Sequence, residues 1–552
     1  MSRISIENPC SGGEYRVIGL RSITASAYEK LLTVFGIVKK DSIFCTFRDL
    51  ILPLVRDGDF ASFYNLDKGR DSVSPALLSL AVILQRLLGC SDREMARAVR
   101  VDLEVKYALG LPILYPGFHY SLLSIHRNRL IQGGAGKDIF DRVLRLAQEK
   151  KLLSKDEDQI LDSTHIVADI ALPTASGLVR QAITHLLRAI KKHDPSMAEK
   201  VANASGTRKY LDKIRKVKPD PGTPREKKEY EMTPDEKKAL FAQVVREGRA
   251  LARVCKEEHV QNDCCEEALA LLIEILEWIA RGDDDDITRT PPKQRKCKIE
   301  SVHDLDARYA KKTPETGYVG YKAHTAMSAE SRFITHTETT PMDVGDPTMA
   351  PVLVDGVLSH GLASTKAIGD TQYGSGKFRR FALGRGVRVC APLFPKAQSA
   401  SWIKEGFIYD PLAQTMTCPA GKTTTSKWYS ADGEVMVYKF SRKMCRHCPR
   451  AKDCIGEKGY VSASVSVYHE ELKAAAVYNE TEAFRLDKAI RARIEAKFGE
   501  AKRFHGMARA IYRGLQKVDL QVRLTAIALN IKRIFTLLRE PKASALVEPE
   551  AA

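Results

Sequence analysis

The sequence predicts an α/β protein: a mixed sheet with flanking helices, interrupted by a helical insertion and a small Cys-rich insertion, and preceded by an all-α N-terminal domain. Three observations carry this reading. Short runs rich in β-branched residues, ILDSTHIV and later VGYKAHTAMS, RFITHTETT, STKAIGDTQYGS and VRVCAPL, read as strands. Apolar residues at helical spacing fill much of 40–150 and 172–295. Four cysteines crowd into a segment with little apolar core between 401 and 465.

In chain order, residues 1–150 form the helical N-terminal domain. Ser74-Pro75 supplies a cap and first turn for ALLSLAVILQRLL, Gly89 ends that helix, and Ser91-Asp-Arg-Glu94 is a capping box for the next. Tight turns between short helices suit either a helix-turn-helix DNA reader or a plain bundle. Residues 155–171 are the first sheet strand, with Asp162 at its centre on the face of Thr164 and opposite to His165. A carboxylate there either meets a cation or caps a strand end. Residues 172–295 are the helical insertion, whose Asp283–Asp286 run reads as a solvated tether. Residues 296–400 return to the sheet, and Asp370 follows the apolar KAIG, where it either faces a ligand or caps a turn.

Residues 401–465 hold Cys418, Cys445, Cys448 and Cys454 within 37 positions. A C-x2-C pair with a third thiol downstream and a Cys-Pro upstream fits a closed structural Zn²⁺ site, with His447 as a substitute ligand; unliganded or redox thiols are the alternative. Residues 466–540 carry catalytic and basic helices, including a further amphipathic helix with a basic face, and 541–552 read as a disordered tail.

Composition narrows the partner. The 552 residues imply two to four structural units, and 87 Lys and Arg against 69 Asp and Glu give a net charge of +18, which points to nucleic acid or an anionic surface. Residues 488–539 alone hold 13 Lys or Arg and 3 acids, as a phosphate-binding surface would. The opening MSRISIENPCSGGEYRV lacks a signal-peptide core and no run nears the roughly 18 apolar residues of a membrane span, so a cytoplasmic protein without membrane contact is expected.

The stretch 488–502 is the focus. On one helix, Arg491, Glu495 and Lys502 fall within about 40° of each other and Lys488 joins them, while Ile490, Ile494, Phe498 and Ala501 form an adjoining apolar stripe. One acid framed by cations suits a metal-binding carboxylate working on a phosphodiester.

With a strand Asp, a strand-end Asp and the pattern R-x3-E-x6-K, the chain resembles bacterial insertion-sequence transposases of the DDE, RNase H-like class. The likeness runs from ALLSLAVILQRLLGCSDRE and ALGL through LDSTH, DLDARYAKK, GYKAH and GDTQYGS to RIEAKFGEAKRFHG, YRGL and ALNIKRI, and the Cys cluster is similar to that of one branch. The resemblance implies an RNase H-like sheet with Asp162, Asp370 and Glu495 as catalytic carboxylates holding two Mg²⁺ (or Mn²⁺) ions. It further implies DNA contacts by Lys488, Arg491, Lys502 and the basic Arg503, Arg509 and Arg513, and a homodimer acting on inverted repeats and target DNA near the nucleoid. The family's signature Tyr is Lys488 here, a departure that keeps positive charge. The competing expectations are a catalytically inactive transposase-derived DNA-binding protein and an RNase H-like nuclease that hydrolyses without joining.

Overall fold

The computed structural model describes residues 36–540 apart from 64–72, 216–226, 261, 292–298, 312–313, 395–402, 404–405, 432–433 and 455–460, together with the strands Ile4–Asn8 and Ser11–Val17. Those two strands pair antiparallel, Ile4 opposite Val17. They correct the all-helical expectation for the N-terminal domain; ISIEN alternates with period two, the strand signature. The tail beyond 540 lies outside the described residues.

The N-terminal helices include α1 (Pro75–Leu88), α2 (Asp92–Val101), α3 (Ser121–Gln132) and α4 (Ala135–Glu149). Ser74 caps α1 and Gly89 ends it at φ +69°, while the Ser91–Glu94 capping box opens α2. The insertion comprises α5 (Ala175–His193), α6 (Pro195–Ala204), α7 (Arg208–Arg215), α8 (Pro234–Glu257) and α9 (Asp263–Ile279), packed around a core of their own that includes Val179, Leu186, Val245, Leu251 and Leu272. Of the acidic run after α9, Asp283, Asp285 and Asp286 are exposed, and Asp284 is tied down. Asp284 pairs with Arg249 at 3.0 Å and Arg253 at 3.6 Å, and its carbonyl accepts from Arg246 at 2.7 Å, because three arginines of α8 face the turn.

The central sheet has six strands: β1 (Gln159–Val167), β2 (Arg308–Lys311), β3 (Gly317–Ser328), β4 (Ile334–Pro341), β5 (Lys366–Ile368) and β6 (Arg388–Cys390). Its order is β6-β5-β1-β3-β2, with β4 also on β3. β1 pairs antiparallel with β3, and β5 and β6 run parallel to β1. Position 320 of β3 must be glycine, since a Cβ there would lie 2.1 Å from the Ile166 carbonyl oxygen. Helices α10 (Asp346–Ser359) and α11 (Gly376–Leu383) follow β4 and β5.

A Cys-rich unit holds β7 (Ile408–Asp410), β8 (Thr415–Thr417) and β9 (Thr423–Thr424) in one sheet and β10 (Lys427–Ser430), β11 (Val435–Phe440) and β12 (Val461–Ser466) in another, over a small core of Phe407, Met416, Tyr438, Phe440 and Val461. The chain closes with α12 (His469–Asn479), α13 (Glu482–Ile490), α14 (Ala492–Phe504) and α15 (Leu515–Arg539). The stretch expected as one helix over 488–502 is thus two, joined at Arg491.

The two faces of the sheet are covered differently. Ile160 and Ile368 meet Ile494 and Phe498 of α14 on one face, so the apolar stripe beside the charged residues docks on the strands. On the other, Leu161 joins a core that runs into α1, α4, α10 and α15. The N-terminal helices therefore share a core with the sheet.

Helix α15 departs from the amphipathic expectation, since residues on every side of it are buried, Asn530 included. Three of its five cations are taken up by partners within the protein: Arg523 pairs with Asp519 at 2.6 Å and Glu338 at 3.2 Å, Lys532 with Glu500, and Arg533 donates to the Ser331 carbonyl at 2.6 Å, while Lys517 and Arg539 are exposed. The charge count over 488–539 accordingly overstates the basic surface.

Candidate active site

Strand register builds the site. Ile160 is level with Ile368 across the parallel β1–β5 pair, so two residues further on Asp162 and Asp370 leave neighbouring strands at the same height. Asp162 shares a face of β1 with Ile160, which packs under α14, and emerges beside that helix. Arg491 completes the arrangement: one guanidinium nitrogen is 3.1 Å from Asp162 Oδ2, the other 2.6 Å from Glu495 Oε1. A cation thus bridges two carboxylates whose strand and helix lie more than three hundred positions apart in sequence.

Burial pushes the Asp162 carboxyl up to about 6, and the nearby Asp370 and Asp346 push it the same way; a 2.7 Å bond from the Ser163 amide and the charge of Arg491 oppose the rise. Asp370 caps the short turn Thr371–Gly374, its Oδ1 accepting from the Gln372 amide at 2.8 Å. Glu495 is the most exposed of the three. Acids crowded by acids and offset by one guanidinium form a site that a multivalent cation would relieve. The residues fit such an ion by donor type, three hard oxygen ligands, with Arg491 standing between two of them. Among the described residues no group of three or more His, Cys, Asp or Glu is closed to coordinating geometry.

Behind Asp162 lies a network that sequence reading passed over. Ser163 donates to Asp346 at 2.9 Å, Lys322 Nζ reaches Asp346 at 3.1 Å and the Val344 carbonyl at 3.0 Å, and His324 sits 3.4 Å from Asp346 and 2.9 Å from Thr340 Oγ1. Burial drives His324 down to about 4, so the imidazole is neutral at pH 7. Lys322 and His324 are the polar letters of GYKAH, and their spacing of two on one strand put them on one face. Asp346, at the start of α10, carries no local sequence signal that ties it to β1. Tyr373, buried beside Asp370's turn, also went unremarked.

Lys488, Arg503 and Arg513 are exposed, Lys502 is half-buried, and Arg509 is exposed 3.6 Å from Asp169. Arg493 and Lys497 turn inward instead, to the Ala329 carbonyl and to Glu500.

In the Cys-rich unit Cys418, Cys445, Cys448 and Cys454 line one cavity with Phe440 and Val461, and His447 is exposed outside it. The Cys445 amide-to-Ser441 and Cys448-to-Cys445 bonds fold the C-x2-C pair into a turn, and Gly421 at φ +73° turns the chain after Cys418. Burial, then the neighbouring thiols, raise the Cys445 pKa. Four soft donors around one small cavity fit Zn²⁺ by chemistry.

Two family models match. The model described as Transposase DDE domain covers residues 417–535, and the one described as Transposase domain (DUF772) covers 35–129. They support an insertion-sequence DDE transposase, a family of nucleotidyl-transfer enzymes. The first match takes in the four cysteines and Glu495; neither spans Asp162 or Asp370. No curated protein matches the chain. Among the described residues no single helix is long and apolar enough to cross a membrane.

Proposed function

We propose that this chain binds the terminal inverted repeats of an insertion sequence and catalyses divalent-metal-dependent strand cleavage and strand transfer, with Asp162, Asp370 and Glu495 as the catalytic carboxylates. The observation that carries the reading is the Arg491 bridge between Asp162 and Glu495, reinforced by the level β1–β5 register that sets Asp370 beside them. The order of the sheet, three antiparallel strands β1, β3 and β4 followed by β5 and β6 parallel to β1, supports an RNase H-like fold.

Two Mg²⁺ or Mn²⁺ ions held by the three carboxylates would supply Lewis-acid activation of the attacking water or 3′-hydroxyl and of the departing oxygen. The chain's own residues do the rest. Asp162 must shed its proton to act as a ligand, which its position near pH 6 allows under neutral conditions. Arg491, relieved of its carboxylates, is placed to hold a phosphate in a bidentate way. Lys488, Lys502, Arg503, Arg509 and Arg513 extend the positive surface along the DNA backbone. The Asp346 network fixes β1 from behind through Ser163. In the Cys-rich unit the four thiols would hold a structural Zn²⁺ that ties β8 and β11 together. We take the working form to be a homodimer on DNA, in the cytoplasm, since two ends must be cut and joined.

The test is a labelled duplex carrying the repeats that flank the gene, incubated with the full chain and Mg²⁺. Cleavage at the repeat end followed by joining to a second duplex is expected. Cutting without joining would indicate a nuclease, and binding without cutting under any divalent ion would indicate an inactive DNA-binding derivative.

A further inference from the structure

Tyr373 is 1% exposed, and its hydroxyl has no hydrogen-bond partner among the described residues. Buried polar groups in folded proteins rarely go unpaired, and a phenylalanine would fill the same space without that penalty. The ring's seat is fixed. Its own amide donates to the Asp370 carbonyl at 3.1 Å, Phe378 meets it edge-on at 6.4 Å, and a Cβ on Gly369 would lie 2.7 Å from Tyr373 Cβ, so only glycine leaves the ring room. Gly374 closes the other side, its backbone against the Pro392 carbonyl oxygen. The charged groups that act on the phenol are Asp346, Asp162 and Asp370. Ionised carboxylates only accept hydrogen bonds, and a phenol can donate one.

We propose that Tyr373 is a positioning residue of the carboxylate site, its hydroxyl taking a carboxylate oxygen of this cluster as acceptor when a divalent cation occupies the cleft. The inference rests on the function proposed above. In the free protein Arg491 holds Asp162 toward Glu495 and the phenol is left over. A cation held by these carboxylates would take the guanidinium's place, and a carboxylate oxygen released from Arg491 would then be free to accept from the hydroxyl. The hydroxyl, as distinct from the packed ring, therefore contributes little to the free fold and more to the loaded site. No covalent step is involved.

Tyr373→Phe separates the two states. Without divalent ion the variant should melt at or above the wild-type temperature, because only an unpaired hydroxyl is lost. The Mg²⁺ or Mn²⁺ concentration giving half of the ion-induced thermal stabilisation should rise about 10-fold, the worth of one lost hydrogen bond to a charged group. Repeat-end cleavage at saturating DNA should fall about 10- to 100-fold with DNA affinity unchanged. A purely structural ring would leave the ion midpoint where it was. If wild type responds to the ions and cuts, and the Phe variant matches it in both, the role of the hydroxyl is overturned and the proposed function stands. A wild type that neither cuts nor gains stability from either ion overturns the proposed function and the role of Tyr373 with it.

Discussion

Asp162→Asn should make the free protein more stable at neutral pH while it removes cleavage. The carboxyl stands at about 6 against an ordinary aspartate value of 3.8. A raised carboxyl means the folded chain holds the proton more tightly than the unfolded chain does. The stability this group contributes is fully present below about pH 4 and is lost as pH rises through about 6. By pH 7.5 the loss amounts to about 3 kcal/mol. Asn keeps the shape and the contact to the Ser163 amide but carries no charge to desolvate; giving up the half-buried pair with Arg491 returns up to about 1 kcal/mol. The net gain expected at pH 7.5 is about 2–3 kcal/mol, shrinking toward zero near pH 4. Urea unfolding of wild type and variant without divalent ion, at pH 4.5 and 7.5, reads it out. A variant less stable than wild type at pH 7.5, or a difference that does not change with pH, would refute the reasoning, because Asp162 would then not be a strained acid awaiting a cation.

Three further outcomes are expected. Arg491→Ala should weaken repeat-end binding and lower the slope of log affinity against log salt by about one, as loss of one phosphate contact does, measured by salt titration of DNA affinity. The purified chain should carry one zinc by metal analysis, and Cys445→Ser should lose it and make residues 418–454 sensitive to protease while α14 stays protected. Gly89→Ala should cost about 1–3 kcal/mol in unfolding measurements, since φ there is +69° and the new Cβ would lie 2.7 Å from the Phe504 carbonyl oxygen. That substitution would also pry α1 from the turn where Arg86 donates to the His505 carbonyl at 3.2 Å.

What could be read in advance follows the range of the interactions. The strands around Asp162 and before Asp370, and the apolar stripe of Ile494 and Phe498, are local patterns of period 2 and 3.6, and these residues lie in strand and helix as read. The level of Asp162 with Asp370 needs the β1–β5 register, a pairing of segments some two hundred residues apart that no local period encodes. The same holds for Asp346, which reaches Ser163 from α10, and for Tyr373, whose interest lies in a missing partner rather than in its spacing. Charge counting failed in a different way. Lys532 and Arg533 look like surface cations in a list of residues, yet Glu500 and the Ser331 carbonyl come from other elements, as does Glu338, which Arg523 meets besides its local partner Asp519, so these pairings appear only in three dimensions. The N-terminal helices read as a separate unit because their caps and turns are clear, whereas the shared core with the sheet depends on the packing of α1 on α15. The break at Arg491 left no mark in the helical periodicity, since the residue keeps helical backbone angles.

The first experiment to run compares wild type with Asp162→Ala, Asp370→Ala and Glu495→Ala on the repeat-end duplex with Mg²⁺, scoring binding and cleavage in the same samples. All three variants should bind as wild type does and cut nothing detectable. A variant that still cuts, with wild type active beside it, would take that carboxylate out of the site and break the three-acid reading of the cleft.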